Sequence, residues 1–305
     1  MSATSQISAA PDDAVRASPG LRWSRAGGWT SVAETLAIEA PLAIEIAYER
    51  SGQEIRKVLA VTMRTPGADD ELACGFLFAE GLIASAADIA ALSAHDENAR
   101  GERVRTQRVR LVRAPAEDLQ RISRGLVTSA ACGLCGRPSL EGLPLRAVAR
   151  EPEAPALACE VIAALPEKLR RRQTAFSATG GSHGAALCDA RGEVLLVRED
   201  VGRHNAVDKL VGAALQRGLA RAGNILVLSG RASFELAQKA AAAGIAVIVA
   251  VGAPSSAAVT LANRAGITLV GFARDGRFNV YTHADRLAVE PTSGEASAAD
   301  DHFHD

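Results

Sequence analysis

Between Thr174 and Tyr281 short apolar runs alternate with amphipathic stretches of helical period, a pattern that few folds accept. Residues 184–187 and 193–197 flank Asp189-Ala190-Arg191-Gly192 and read as a hairpin. A helix is predicted over 203–217, with Val207, Leu210, Val211, Ala214 and Leu215 as its apolar stripe. A strand over 225–228, a helix over 233–243 closed by Gly244, a strand over 245–251, a helix over 256–264 and a strand over 267–272 continue the series. A last strand, 278–281, returns through Asp275-Gly276. Such alternation predicts an α/β domain over 173–290, a three-layer sandwich with right-handed crossovers between its parallel strands.

The preceding residues follow a different pattern. Leu42, Ile44, Ile46 and Tyr48 alternate with other residues, residues 58–63 form a second apolar run, and Ser51-Gly52 supplies the turn of a hairpin. Thr65-Pro66-Gly67 breaks the chain. Asp69 or Asp70 can cap the helix that follows, whose Leu72, Ala73, Phe76 and Leu77 recur at helical spacing up to Gly81. Cys74 falls inside this helix and reads as core. Arg103, Arg105, Arg108, Arg110 and Arg113 interleave with Val104, Val109, Leu111 and Val112, as in a half-buried strand pair with a basic outer face. These features outline a smaller α+β domain over 23–128. Residues 129–172 form a connection with a helix near 161–168 and a basic run from Lys168 to Arg172. Residues 1–22 and 291–305 read as disordered tails, the latter carrying His302 and His304.

Charge and composition narrow the function. Lys and Arg number 34 against 35 Asp and Glu, which argues against a nucleic-acid-coating role, and 4% aromatic residues leave little for a base-stacking platform. Five cysteines, an odd number, do not read as a disulfide framework, so a reducing compartment is expected. The N-terminus lacks a secretory pattern. The longest apolar run, 240–254, is broken by Gly244 and Gly252 and reads as a helix end and a buried strand rather than a membrane span.

Two thiols stand three positions apart in Cys132-Gly133-Leu134-Cys135-Gly136. The thiolate is the working form of a cysteine, and a cationic neighbour such as Arg137 or a nearby helix N-terminus favours it. Four readings fit the motif: half of a structural zinc site, a thioredoxin-like redox pair, two inert core residues, or a loop whose thiolate carries a group such as sulfane sulfur. Zinc needs a second ligand pair, whereas Cys74, Cys159 and Cys188 are isolated. A thioredoxin-like pair belongs between a strand and a long helix, which the glycines here do not suit.

In an α/β sheet, ligands gather beyond the carboxyl ends of the strands. Three strand-to-helix loops reach that edge: Glu199 to Asn205, with Arg203 and His204; Ser229-Gly230-Arg231-Ala232-Ser233; and Gly252 to Ser256. Their free N–H groups and guanidiniums suit a ligand with several phosphates. Thr179-Gly180-Gly181-Ser182-His183-Gly184 leads into the first strand, with His183 a candidate proton carrier or donor. His204 and Asp208, four apart on one helix edge, read either as an Asp-oriented histidine or as a plain helix surface pair. Phe272-Ala273-Arg274-Asp275-Gly276-Arg277 is a tight turn with two guanidiniums, fit for an anion or a guanine. The chain has no Ser-His-Asp triad, Walker loop, H-E-x-x-H or dinucleotide fingerprint, and the α/β domain lacks zinc-deaminase signatures, so no metal site is expected.

Six stretches in the same order, MRTPGADDELACGFLFAEGLI (63–83), CGLCG (132–136), TGGSHGAAL (179–187), EDVGRHNAVDKL (199–210), SGRASFEL (229–236) and GFARDGRFNVYTH (271–283), resemble the FdhD family of formate dehydrogenase accessory sulfurtransferases, over roughly residues 30 to 290. The resemblance implies a cytidine-deaminase-like C-terminal domain without zinc. It implies a sulfurtransferase that takes sulfur from a cysteine desulfurase as a persulfide on Cys132, with Cys135 assisting. The sulfur would pass to Mo-bis(molybdopterin guanine dinucleotide) on its way to formate dehydrogenase. The family's cofactor-contacting turn matches 272–277, and the resemblance further implies a cytoplasmic homodimer. A non-catalytic carrier of the same cofactor is the alternative function.

Overall fold

The computed structural model describes residues 14–99, 102–115, 156–219 and 225–288. β1 (Val15–Ser24) and β2 (Gly28–Ala37) form a two-stranded sheet. Residues 15–22, expected to lie in a disordered tail, are therefore strand. β3 (Ala40–Arg50) and β4 (Gln53–Arg64) make the predicted hairpin, turning at Ser51 and Gly52, both at positive φ as a type I′ turn requires. α1 (Asp69–Ala79) follows. Its N-cap is Ala68, with no side-chain cap, so neither Asp69 nor Asp70 fills that role. Asp69 instead takes a two-pronged ion pair from Arg64, both bonds at 2.8 Å.

β5 (Ile89–Ala99) and β6 (Glu102–Leu111) complete a four-stranded sheet in the order β4-β3-β6-β5, β3 and β6 running parallel. The Arg/Val-rich segment is thus largely one strand rather than a strand pair. Three of its arginines face carboxylates: Arg108 bonds Glu45, Arg105 stands 3.4 Å from Asp69 and 3.6 Å from Asp96, and Arg110 stands 4.0 Å from Glu54.

The C-terminal half is the predicted three-layer sandwich. α2 (Cys159–Arg170) and the short α3 (Thr174–Thr179) lead into β7 (His183–Cys188) and β8 (Val194–Asp200). Next come α4 (Arg203–Gln216), β9 (Ile225–Leu228), α5 (Phe234–Ala242), β10 (Val247–Ala250), α6 (Ser256–Ala265), β11 (Thr268–Arg274) and β12 (Arg277–Thr282). The mixed sheet runs β12-β11-β10-β9-β7-β8, with β9, β10 and β11 parallel. Its two faces are written in the alternation of its strands. Ala185, Leu187, Leu226, Leu228, Ile248 and Leu269 pack toward α4, α5 and α6. Ala186, Cys188, Ile225, Val227, Val247, Val249 and Val270 pack under Ile162, Leu165 and Leu169 of α2.

One core crosses from the first half to the second. Leu42, Ile44 and Ile46 of β3, Leu72 and Leu77 of α1 and Val207 and Leu210 of α4 belong to a single buried cluster. α1 and α4 cross with their backbones touching. A Cβ on Gly75 would lie 1.9 Å from the Asp208 carbonyl oxygen, and one on Gly212 would lie 1.8 Å from that of Glu71. Only glycine permits this approach. Beside the crossing, Arg198 of β8 binds the Glu71 carboxylate of α1.

A polar clasp fastens the same seam. Asp200 is fully buried, and Lys209 Nζ sits 2.7 Å from its Oδ2. That ammonium also donates to the Thr65 carbonyl at 2.7 Å, and the Thr65 amide donates back to Asp200 Oδ2 at 3.1 Å. The Val201 amide donates to Thr65 Oγ1 at 3.0 Å. Every charge here has a counter-charge and a hydrogen-bond partner, the condition under which a buried ion pair is tolerated.

Candidate functional site at the carboxyl edge of the sheet

β7 runs antiparallel to both β8 and β9, so β8 points the same way as β9, β10 and β11. The ends of those four strands and the start of β7 therefore share one edge, which gathers His183, the 200–205 loop, Ser229 to Ser233, Gly252 and Phe272. Hydrogen bonds stitch the loops together. The Ser229 amide donates to the Gly184 carbonyl at 3.0 Å, and the Gly184 amide donates to Ser229 Oγ at 2.8 Å. The Gly252 amide reaches the Gly230 carbonyl at 2.9 Å, and the Phe272 amide reaches the Gly252 carbonyl at 3.1 Å. Gly230 lies so close to His183 that a Cβ there would stand 3.4 Å from Nδ1.

Arg203 opens α4 at this edge, and its Nε is buried with no hydrogen-bond partner. A guanidinium N–H left so is rare and costly, and it asks for an acceptor. His183 titrates below its usual range, through burial first and then the Arg203 and Arg231 guanidiniums, with Asp200 opposing. The edge thus offers two cations and a neutral imidazole, a setting matched to an anionic ligand.

His204 is held differently. Its Nε2 faces Ser233 Oγ at 3.3 Å and Glu235 Oε2 at 3.5 Å. Both partners address one ring nitrogen, whereas a catalytic relay uses the two nitrogens in series. Burial, then the Lys239 and Arg203 charges, push this imidazole down to about 4. Of the two readings of His204 and Asp208, the Asp-oriented histidine is not formed: Lys239 holds Asp208 Oδ1 at 2.6 Å. Asn205 turns away from the edge: its Nδ2 donates to the Met63 carbonyl at 2.8 Å and to Asp200 Oδ1 at 3.2 Å. Glu199 caps α3, accepting from the Ala175 and Phe176 amides and from Ser182 Oγ at 2.8–2.9 Å.

The turn at 272–277 starts at the edge and projects past it. Phe272 is exposed at φ 53°, an unusual conformation for a bulky residue, and a register shift separates Gly271 from Arg274. Ala273 is buried, while Arg274, Asp275, Gly276 and Arg277 are exposed around the hairpin tip. A cavity of about 480 Å³ opens elsewhere, behind the Thr65 loop, lined by Arg64, Gly67, Asp69, Asp70, Arg105 and Gln107. Sequence reasoning missed this cavity and the Asp200–Lys209–Thr65 clasp, both built from residues far apart in the chain. Cys132 and Cys135 lie outside the described residues.

The profile of the FdhD/NarQ family matches residues 37–288. The chain belongs to the FdhD/NarQ family. Relatives called sulfur carrier protein FdhD include one from Streptomyces coelicolor, 46% identical over 281 residues, which span 89% of this chain and 95% of the relative. One from Mycobacterium tuberculosis is 43% identical over 264 residues, 83% of this chain and 92% of the relative. A crystal structure of a protein from Desulfotalea psychrophila, described as a formate dehydrogenase accessory protein, superimposes with a TM-score of 0.66 at 27% identity, covering 90% of this chain and 99% of that one. The FdhD/NarQ match thus takes in β3 through β12, including every element that meets at the carboxyl edge. Among the described residues no helix is long and apolar enough to cross a membrane, and no cluster of His, Cys, Asp and Glu is suited to a metal ion.

Proposed function

We propose that this FdhD/NarQ chain is a sulfurtransferase that carries sulfur on Cys132 to Mo-bis(molybdopterin guanine dinucleotide), serving formate dehydrogenase. The observation that carries the reading is its 43–46% identity, along most of its length, with relatives called sulfur carriers, together with the C-x-x-C of a chain of that class. The Cys132 thiolate attacks the outer sulfur of a cysteine desulfurase persulfide. The donor S–S bond breaks, the desulfurase thiolate leaves, and Cys132 becomes the persulfide. Attack by the Cys135 thiolate on the inner sulfur would release hydrosulfide and leave a Cys132–Cys135 disulfide.

The cofactor is the recipient substrate, and the carboxyl edge suits its nucleotide ends. The orphaned Arg203 Nε and the Arg231 guanidinium address phosphate oxygens, with neutral His183 between them in charge terms. The 272–277 turn, with Phe272, Arg274 and Arg277, is the guanine-facing candidate. Ser229 and Asn205 act indirectly, holding the loops rather than the ligand. Cytoplasmic residence follows from the same reading, since both sulfur donor and apoenzyme are met there.

The test is intact mass after incubation with a cysteine desulfurase and cysteine. Wild type should gain one reductant-labile sulfur and Cys132→Ala none, with Cys135→Ala showing whether the second thiol is needed. No added sulfur on any form would sink the transfer reading and leave a cofactor carrier. Arg203→Met should weaken GDP binding at least tenfold with little loss of stability, because it removes a charge-assisted bond the free protein does not make. Equal GDP affinity in titration calorimetry would remove Arg203 from the site under either reading.

A further inference from the structure

The face of β6 that packs under α1 changes character along the strand. Side chains alternate, so Arg105, Gln107, Val109 and Leu111 share that face. Val109 and Leu111 join the core with Leu72 and Leu77 of α1. Gln107 and Arg105 carry the same row past the start of the helix, and there the cavity of about 480 Å³ opens.

Part of its lining is already engaged. The Arg64 guanidinium gives two bonds to Asp69 and a third to the Ala40 carbonyl at 3.2 Å. The rest is not. Gln107 is only 4% exposed, yet among the described residues its side-chain amide, which can donate and accept, has no hydrogen-bond partner. A buried amide is ordinarily paired, so one that faces a cavity asks for a ligand. The Asp70 carboxylate likewise has neither a hydrogen bond nor an ion pair among the described residues. Arg105 stands 3.4 Å from Asp69 and 3.6 Å from Asp96, both longer than a good N–H···O bond, so its donors remain for another acceptor. The N-cap of α1 is Ala68, and no side chain caps the first amides of the helix.

We propose that this cavity binds a free α-amino acid with a neutral polar side chain. Its lining sets Arg64 and Arg105 against Asp69 and Asp70, so the charges balance. A lone anion would face the unpaired Asp70. A lone cation would face Arg105 and the positive end of α1. A zwitterion meets both demands. Its carboxylate takes the Arg105 guanidinium and the first amides of α1, and its ammonium takes the Asp70 carboxylate and the Gln107 carbonyl. Among the described lining residues only Pro66 and Ala68 bring apolar side chains, so the ligand's own side chain is polar, and the balanced charge makes it neutral. The volume falls within the roughly 300–1,000 Å³ of small-ligand pockets. L-Glutamine has this chemistry. The site is independent of the carboxyl edge and of the sulfur-transfer reading.

Titration calorimetry of the full chain with L-glutamine tests the proposal. Wild type should bind one equivalent with a dissociation constant of about 1 mM or below. Glutaramate, which lacks the ammonium, and L-glutamine amide, which lacks the carboxylate, should each bind at least tenfold more weakly. Asp70→Asn and Arg105→Gln, both at partly exposed positions, should weaken L-glutamine at least tenfold with melting little changed. Gln107→Leu should weaken it as well and leave GDP affinity as it was. No binding of L-glutamine, equal affinity for glutaramate or the amide, wild-type affinity in both Asp70→Asn and Arg105→Gln, or displacement of L-glutamine by GDP would each overturn the proposal.

Discussion

His204 is where burial and charge act most plainly on one side chain. Its folded pKa of about 4 lies below the ordinary 6.5, so between those values the unfolded chain binds more protons. The contribution to stability is complete above about pH 6.5 and is lost as pH falls toward 4, by at most about 3 kcal/mol. His204→Gln keeps a neutral polar group there and should flatten that acid limb. Urea midpoints followed from about pH 7.5 to 4.5 read the difference, and parallel slopes in the two proteins would sink the assignment. His183 has the same sign for a different purpose, since an anion bound between Arg203 and Arg231 raises its proton affinity. These residues were legible as candidates because Gly-rich loops after strands mark a sheet edge. Which of them face a ligand was not legible: Asn205 and Glu199 sit in the same loop as Arg203, yet they bind Met63 and the α3 amides. Their partners lie far away in sequence and leave no local signal.

At the scale of elements, the crossing of α1 and α4 makes the sharpest prediction because two rules give opposite signs. Alanine is the better helix former, worth about 1 kcal/mol over glycine in a helix interior. Sterics say the reverse, since a methyl at 212 would sit 1.8 Å from a backbone oxygen that cannot move without its helix. Gly212→Ala should destabilise by about 3 kcal/mol or more, measured by thermal melting, and a gain would mean the helices do not touch as described. The strands and helices after Thr174 were readable from period and turn residues, since each buries its apolar side within one layered sheet. β1 was not, because Ala, Ser and Pro near a terminus resemble a tail. The alternation of Val15, Ala17, Pro19, Leu21 and Trp23 before Gly27-Gly28 was the signal available.

The molecule as a whole should unfold in one step, because its core cluster runs from β3 through α1 and α4 to α6 and its clasp joins Thr65 to Asp200 and Lys209. Lys209→Met would strand a buried carboxylate and cost about 3–5 kcal/mol. Adding Asp200→Asn should restore part of that loss, and a double variant no better than the single would show that the pair is not coupled. Calorimetric and van't Hoff enthalpies that disagree would show two units instead of one. The mixed sheet also makes one buried sulfur useful. Cys188 stands within the mixed sheet, on β7 between β8 and β9, wholly covered, and burial pushes its thiol up to about 12. An alkylating reagent at neutral pH meets neither an accessible sulfur nor a thiolate until the sheet parts. The appearance of label at position 188 is therefore a stopwatch built into the chain, timing each excursion of the central sheet from its closed state without any probe having to be added.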